Sequence, residues 1–241
     1  MTAPARAPRA IGMLVPPAHG AVPPEAGAVY PEVRFLAKGL GLNAMAPDDY
    51  ARVTEFIGDA AESLAAEGAS VVGLMGTSLS FFQGARFNDR LTEVVASRSG
   101  RPASTMSTAI VRALQAFSPR RLAVLTAYED DVNRLLATFL EGHGFQVAAL
   151  RALKIRAVSD VASVGTGRLV EESRLAIAAA DAPDALLISC GGLQTLDCVR
   201  QLEAEFRLPV VTSATAGVWD LARLAGVHTP RTGFGRLFEI A

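Results

Sequence analysis

Cys190 is the residue of this 241-residue sequence whose surroundings most clearly suggest chemistry. It follows a short apolar run and precedes Gly191 and Gly192, at a predicted junction between a strand and a helix. A thiol at a helix N-terminus has a lowered pKa and can exchange protons near neutral pH. The alternative, given equal weight, is that Cys190 is only a small hydrophobic residue buried in the core. The other cysteine, Cys198, lies inside the following predicted helix and is interpreted as a packing residue.

Small polar residues follow the other predicted strands as well. The junctions are Pro16-Pro17, Gly76-Thr77-Ser78, Thr126-Ala127-Tyr128, Cys190-Gly191-Gly192 and Thr212-Ser213. Hydroxyl and backbone N–H groups at helix N-termini form sites for anions such as carboxylates. Helix capping is the alternative at any single junction. The convergence of several junctions without a charged residue favours a carboxylate site.

Other kinds of chemistry are disfavoured by the motifs. His19, His143 and His228 are far apart and lack metal-ligand spacing, so no metal site is predicted. The acidic run Glu129-Asp130-Asp131 fits the start of a helix, where acids compensate the dipole. The sequence has no glycine-rich nucleotide loop and no nucleophile elbow, which argues against nucleotide cofactors and serine hydrolysis. The remaining reactive groups are a thiol, hydroxyls and backbone amides.

Composition narrows the class of protein further. With 23 Lys and Arg against 24 Asp and Glu, the net charge is -1, which argues against a nucleic-acid partner. No apolar run approaches the roughly 18 residues that a membrane helix needs. Residues 1–9 are read as a Pro- and Ala-rich lead-in without the apolar segment of a signal peptide. Two cysteines cannot form a disulfide framework, so we expect a cytoplasmic protein.

The elements that must position these groups alternate between short apolar runs and amphipathic segments, which predicts a parallel, doubly wound α/β architecture. The predicted strands are Ile11–Val15, Val71–Met75, Leu122–Thr126, Phe145–Leu150, Ala185–Ser189 and Val210–Thr212. One helix is predicted to run from Pro47 through Leu64 to a stop at Gly68, and another to open at Tyr128-Glu129 and end near Gly142.

An internal repeat indicates two equivalent halves. Pro102–Thr108 resembles Pro209–Thr215 at an offset of 107 residues, and the turn at Gly76 resembles that at Cys190 at an offset of 114. We predict a first half over residues 1–115, with 215–241 packing back on it, and a second half over 116–214. Ligands of open α/β sheets bind beyond the carboxyl ends of the strands, so the active site is expected in an interdomain cleft.

Taken together, the ordered motifs resemble the arylmalonate decarboxylase family of the aspartate/glutamate racemase superfamily, over nearly the whole chain. They are Ile11–Pro17, Gly39–Leu42, Leu74–Phe81, Thr105–Thr108, Thr126–Tyr128, Ser189–Leu193 and Gly233–Phe238. The resemblance implies two Rossmann-like, four-stranded parallel-sheet domains related by a pseudo-twofold axis. Racemases and isomerases of the superfamily carry one cysteine in each half, whereas this chain has Gly76 at the first position and Cys190 at the second.

The resemblance also implies cofactor-free decarboxylation of a 2-aryl or alkenyl malonate, with Cys190 as the one-sided proton donor. Thr77, Ser78 and Tyr128, with the N–H groups of Ser78, Cys190 and Gly191, would form a dioxyanion hole. An apolar pocket for the departing carboxylate is implied at Pro16, Leu42, Met45, Tyr50, Leu79, Val158 and Val161.

The alternatives are a cysteine-dependent racemase or cis–trans isomerase of a small acid, and a non-catalytic carboxylate-binding protein. The expected partner is a small dicarboxylate, and the oligomeric state is left open, a monomer included.

Overall fold

The computed structural model describes residues 10–240, and its elements fall into two similar series. The first contains β1 (Ala10–Val15), α1 (Pro24–Val29), β2 (Arg34–Gly39), α2 (Pro47–Thr54), α3 (Ile57–Ala66), β3 (Ala69–Leu74), α4 (Thr77–Phe81), α5 (Ala85–Ser99), β4 (Ala103–Thr105) and α6 (Met106–Phe117). The second contains β5 (Arg121–Thr126), α7 (Asp130–Gly142), β6 (Gln146–Ala152), α8 (Val158–Val161), α9 (Thr166–Ala179), β7 (Ala185–Ser189), α10 (Leu196–Phe206), β8 (Val210–Thr212) and α11 (Ser213–Leu224). A 3-10 turn at Arg236–Glu239 follows.

The strands form two four-stranded sheets with the orders β2-β1-β3-β4 and β6-β5-β7-β8. Every strand pair is parallel, and the two orders correspond strand for strand. The inner strands β1 and β7 are buried along their whole length, as expected where helices cover both faces of a sheet. The predicted two-domain α/β fold is confirmed.

The internal repeat corresponds to equivalent helix starts in the two halves. The Thr105 side chain accepts the N–H of Thr108 at the start of α6, and the Thr212 side chain accepts the N–H of Thr215 at the start of α11. These two helices pack against each other, and α11 also contacts β3 and β4 of the first sheet. The predicted half boundaries at residues 115 and 214 lie inside α6 and α11, and that division of the chain stays a prediction.

Two strands were missing from the prediction, β2 and β4, and both are sheet edges. Strand β2 contains Arg34 and Lys38 and is only partly buried, while β4 has three residues. Strand β2 therefore lacks a continuous apolar run and β4 shows none, whereas the edge strands β6 and β8 have such runs and were predicted. The six predicted strands are present: Ala185–Ser189 and Val210–Thr212 have the predicted ends, and the ends of the other four differ by at most two residues.

The helix predicted from Pro47 to Gly68 is divided into α2 and α3. The Thr54 hydroxyl donates to the Tyr50 carbonyl at 2.5 Å, and the Phe56 N–H donates to the Val53 carbonyl, three residues earlier, at 3.2 Å. Such a side-chain bond competes with the helical pattern and bends the chain. Gly68, at φ +97°, ends the segment as predicted.

None of the helices between residues 10 and 240 has the length and hydropathy required to cross a bilayer.

Candidate active site

A cavity of about 330 Å³ lies where the carboxyl ends of the two sheets meet. Its lining comes from segments 15–25, 42–45 and 75–79 of the first half, and from Tyr128 and segments 158–162 and 190–194 of the second. Four of the predicted junctions therefore reach the cavity. The fifth, Thr212-Ser213, lies behind it, where the Ser213 hydroxyl accepts the Cys190 N–H at 3.0 Å.

Cys190 lies in the cavity wall directly after β7 and is 7% exposed. Burial raises the pKa of its thiol to about 11, and a backbone hydrogen bond from Gly192 opposes part of that rise. The expectation of a lowered pKa was wrong. Helix α10 begins only at Leu196, beyond the glycine turn, so the thiol is not at a helix N-terminus and desolvation dominates. A thiol in this environment is protonated at neutral pH.

The Cys190 N–H was expected to belong to the dioxyanion hole. In the structure it donates a hydrogen bond to the Ser213 hydroxyl instead. Of the three backbone donors expected in the hole, those of Ser78, in the first turn of α4, and of Gly191 remain, and both residues line the cavity. First-turn N–H groups have no partner within their own helix.

Gly76 lines the cavity from the first half, at the end of β3. A Cβ atom built on it would lie 3.1 Å from Leu79 Cβ and 3.3 Å from Pro16 Cγ. Its φ of -118° is ordinary extended backbone, so only these neighbours oppose a side chain there.

The predicted hydroxyl donors Thr77, Ser78 and Tyr128 all line the cavity. Thr77 Oγ1 donates to the sulfur of Met106 at 2.9 Å, a weak acceptor. The Tyr128 hydroxyl lies 3.2 Å from Ser189 Oγ, and burial raises the pKa of this phenol well above its usual range. These donors are uncharged at neutral pH.

Six of the seven predicted apolar pocket residues line the cavity, and one does not. Those present are Pro16, Leu42, Met45, Leu79, Val158 and Val161. Tyr50 is fully buried outside the lining, and its hydroxyl has no hydrogen-bond partner within residues 10–240. Burial raises the pKa of this phenol, and the neighbouring Ser78 hydroxyl opposes part of that rise.

Backbone hydrogen bonds between the halves hold the apolar side of the cavity together. The Met45 N–H donates to the Arg156 carbonyl at 3.0 Å, and the Val158 N–H donates to the Asn43 carbonyl at 3.0 Å. Met45 and Val158 thus belong to one antiparallel bridge, centred on Ala44 and Ala157, although they are far apart in sequence.

Several residues that support the site were not among the predicted ones. The hydroxyls of Ser80 and Ser107 lie 2.6 Å apart, so one donates to the other, and both oxygens lie within hydrogen-bond distance of the Thr77 carbonyl at the start of α4. Glu25 and His19 also line the cavity. Ser107 stands in one of the repeated Thr- and Ser-rich turns, a signal that could have identified it. Glu25 has no comparable local signal.

The ionisable groups of the site do not form a metal centre. Between residues 10 and 240, no group of three or more His, Cys, Asp or Glu side chains is placed to hold a metal ion. Besides Glu25 and His19, the cavity offers one thiol, uncharged hydrogen-bond donors and an apolar wall.

This fold and site define a class of two-domain α/β proteins with a thiol-bearing cleft between the sheets. A sequence model of the arylmalonate decarboxylase family matches residues 11–238. The chain belongs to that family, which places it among the carboxy-lyases.

Individual relatives agree with this assignment. Arylmalonate decarboxylase from Bordetella bronchiseptica is 46% identical over 230 residues, covering 95% of this chain and 96% of the relative. A liganded double mutant of arylmalonate decarboxylase, with one glycine changed to cysteine and one cysteine to serine, superposes with a TM-score of 0.94 at 45% identity. That match covers 96% of this chain and 99% of the other. Maleate isomerase from Pseudomonas putida S16 with maleate shares the fold, with a TM-score of 0.89 at 21% identity over 97% of this chain and 98% of that one.

Proposed function

We propose that the protein decarboxylates 2-aryl or 2-alkenyl malonates to chiral monocarboxylic acids without a cofactor. The observation that carries this proposal is that a protonated thiol, the uncharged donors Thr77, Ser78 and Tyr128, and an apolar wall face one cavity. The family assignment supports the same reaction.

The retained carboxylate is proposed to bind the hydroxyls of Thr77, Ser78 and Tyr128 and the N–H groups of Ser78 and Gly191. When the C–C bond to the departing carboxylate breaks, its electron pair moves onto the retained carboxylate and forms an enediolate. Donors already aimed at these oxygens stabilise the added negative charge more than the ground state. One such donor commonly contributes about 3 kcal/mol. An aryl or alkenyl substituent delocalises the same charge, so simple alkyl malonates should react poorly.

The departing carboxylate is proposed to lie against the apolar wall that contains Leu42, Met45 and Leu79. A carboxylate loses its hydration there, whereas the neutral CO2 product has little hydration to lose. This difference favours departure of the charge as CO2.

Cys190 then donates its S–H proton to the enediolate carbon. A C–H bond forms, CO2 has already left, and the resulting thiolate recovers a proton from water. The raised pKa supports this role, because the thiol carries its proton at neutral pH. Gly76 supplies no proton from the other half, so protonation occurs on one face and produces one enantiomer. In the related double mutant, the changed glycine and cysteine are 114 residues apart, the separation of Gly76 and Cys190.

Chelator-treated protein incubated with phenylmalonate in D2O tests the proposal. The expected result is release of CO2 and incorporation of one deuterium at C2, and methylphenylmalonate should yield one enantiomer in excess. Binding of phenylmalonate without CO2 release at any pH would instead identify a carboxylate-binding protein. Rapid loss of optical purity from an enantiopure 2-arylpropionate, without decarboxylation, would identify a racemase.

A further inference from the structure

A buried carboxylate to which the proposed reaction assigns no role lines the same cavity. Glu25, in the first turn of α1, is 3% exposed and forms no ion pair with any described Lys, Arg or His. A carboxylate without a cationic partner is unfavourable in a protein interior unless hydrogen bonds stabilise it. We therefore expect a specific contact that stabilises the Glu25 carboxylate at this position.

That contact crosses from one half of the molecule to the other. Glu25 Oε1 accepts the backbone N–H of Thr195 at 3.2 Å, from a residue 170 positions away in the sequence. Burial raises the pKa of Glu25, and hydrogen bonds from its own N–H and from that of Thr195 oppose the rise. The hydrogen bonds thus favour the charged, accepting form of the side chain.

Thr195 ends the turn that begins with Cys190. The other backbone and hydroxyl hydrogen bonds of this turn come from the second half, while the Cys190 sulfur contacts that of Met45 in the first half. The Cys190 N–H donates to Ser213, and the Thr195 hydroxyl lies 2.8 Å from that of Thr212. Between these two ends stand Gly191 and Gly192, which have no side chains to restrict the backbone. Among the described residues, Glu25 accepts a backbone N–H of this turn from the half that carries Thr77 and Ser78, and so fixes the end of the turn opposite Cys190.

We propose that Glu25 is a positioning residue: by accepting the Thr195 N–H, its carboxylate sets the placement of the Cys190 thiol and the Gly191 N–H relative to the first-half donors. This inference rests on the proposed function of the same cavity. A displacement of about 1 Å in such a site can lower the rate by a factor of about 100. Loss of this hydrogen bond should therefore affect turnover and stereochemical control more than substrate affinity.

The test compares Glu25→Ala, which removes the acceptor, with Glu25→Gln, whose amide oxygen can still accept the Thr195 N–H. We expect Glu25→Ala to lower kcat for phenylmalonate at least tenfold, to change KM less than threefold, and to lower the enantiomeric excess from methylphenylmalonate. Glu25→Gln should stay within threefold of the unmodified protein in kcat and preserve the enantiomeric excess. Glu25→Met keeps the side-chain volume and carries the same expectation as Glu25→Ala if the alanine variant fails to fold.

Glu203 provides a matched control away from the cavity. Its carboxylate also accepts backbone N–H groups, from Val210 at 3.1 Å and Arg236 at 2.9 Å. Glu203→Ala should lower the melting temperature while leaving kcat and enantiomeric excess unchanged. A general loss of stability would lower kcat in Glu203→Ala as well as in Glu25→Ala, so a decrease confined to Glu25→Ala is due to positioning.

Two results would overturn the inference. One is a Glu25→Ala or Glu25→Met variant with unmodified kcat and enantiomeric excess. The other is a Glu25→Gln variant as impaired as Glu25→Ala, which would make the charge rather than the accepted hydrogen bond responsible. Failure of the unmodified protein to release CO2 would instead refute the proposed function, so the two failures are distinguishable.

Discussion

The sulfur atoms of Cys190 and Met45 lie 3.9 Å apart, although the two residues come from different halves of the molecule. Cys190 follows the inner strand β7, and Met45 precedes α2 in the first half. Both side chains are nearly buried. The contact surrounds the thiol with apolar material, which disfavours the thiolate and keeps the group in its proton-donating form.

Cys190→Ala should lower kcat for phenylmalonate by a factor of about 100 or more, the usual contribution of a positioned proton donor. Substrate binding, measured by calorimetry, should change little, because the hydroxyl donors remain. Cys198→Ala is the matched control, since that thiol is buried in α10 and donates to the Thr195 carbonyl. Near-normal turnover in Cys190→Ala would contradict the assignment of the proton donor.

The pH dependence should follow the acid form of the Cys190 thiol. Because its pKa is about 11 in the folded protein, above the usual 9.0, the proton is present below that pKa and lost above it. We expect kcat to be insensitive to Cys190 ionisation from pH 7 to about 10 and to decrease as the pH approaches 11. The measurement is a pH–rate profile in which circular dichroism verifies folding at each point. A loss of activity centred near pH 8, with the fold intact, would contradict the raised pKa.

Gly76→Cys should add a second proton donor at the cost of crowding. The new Cβ would lie 3.1 Å from Leu79 Cβ, so the neighbours must shift, and we expect a loss of about 1–2 kcal/mol in unfolding free energy. The product of methylphenylmalonate should show a lower enantiomeric excess, measured by chiral chromatography. Gly76→Ala introduces the same crowding without a thiol, so it should lose similar stability and keep its enantiomeric excess. Equal selectivity in the two variants would argue against a two-face geometry.

Tyr50→Phe should stabilise the folded protein while lowering kcat/KM. The Tyr50 hydroxyl is buried and has no partner of ordinary hydrogen-bond geometry among the described residues, its neighbour Ser78 included, so its removal should raise the unfolding free energy by about 1 kcal/mol. Because this hydroxyl neighbours Ser78 at the proposed carboxylate site, kcat/KM should fall. In Tyr128→Phe the Ser189 hydroxyl loses its neighbour, so both stability and kcat/KM should fall. Denaturant unfolding and steady-state kinetics on both variants test this contrast, and a destabilised Tyr50→Phe would contradict it.

Thr77→Ala should lower kcat by about tenfold or more and raise KM less. The Thr77 hydroxyl donates to the weak acceptor Met106 Sδ, and an enediolate oxygen is a much stronger acceptor that develops only in the transition state. Thr138→Ala on the exposed face of α7 serves as a control and should leave both constants unchanged. A variant whose KM rises while kcat is retained would show instead that Thr77 contributes equally to ground-state binding.

Local sequence patterns predicted the parallel α/β class, six of the eight strands and the junctions that reach the cavity, while the apolar pocket residues came from the family resemblance. The inner strands are apolar on both faces because helices cover them, so runs such as Ala185–Ser189 are recognisable without coordinates. The duplicated Thr-capped turns at Thr105 and Thr212 revealed the two halves, since each cap is formed within four consecutive residues. The thiol at Cys190 and the hydroxyls at Thr77 and Ser78 were found because they directly follow such strands.

Tertiary structure decided the properties that depend on distant neighbours. The Cys190 pKa rises rather than falls because the surrounding apolar residues come from both halves and α10 starts only at Leu196. Glu25 contacts Thr195 across 170 residues, so no local pattern could reveal it. The edge strand β2 pairs with one neighbour only, and the helix break at Thr54 involves a side-chain hydrogen bond to the backbone. Hydrophobic periodicity detects neither feature. Hydrophobic periodicity shows which face of an element is buried. Desolvation and hydrogen bonds between the halves depend on which distant residues cover that face.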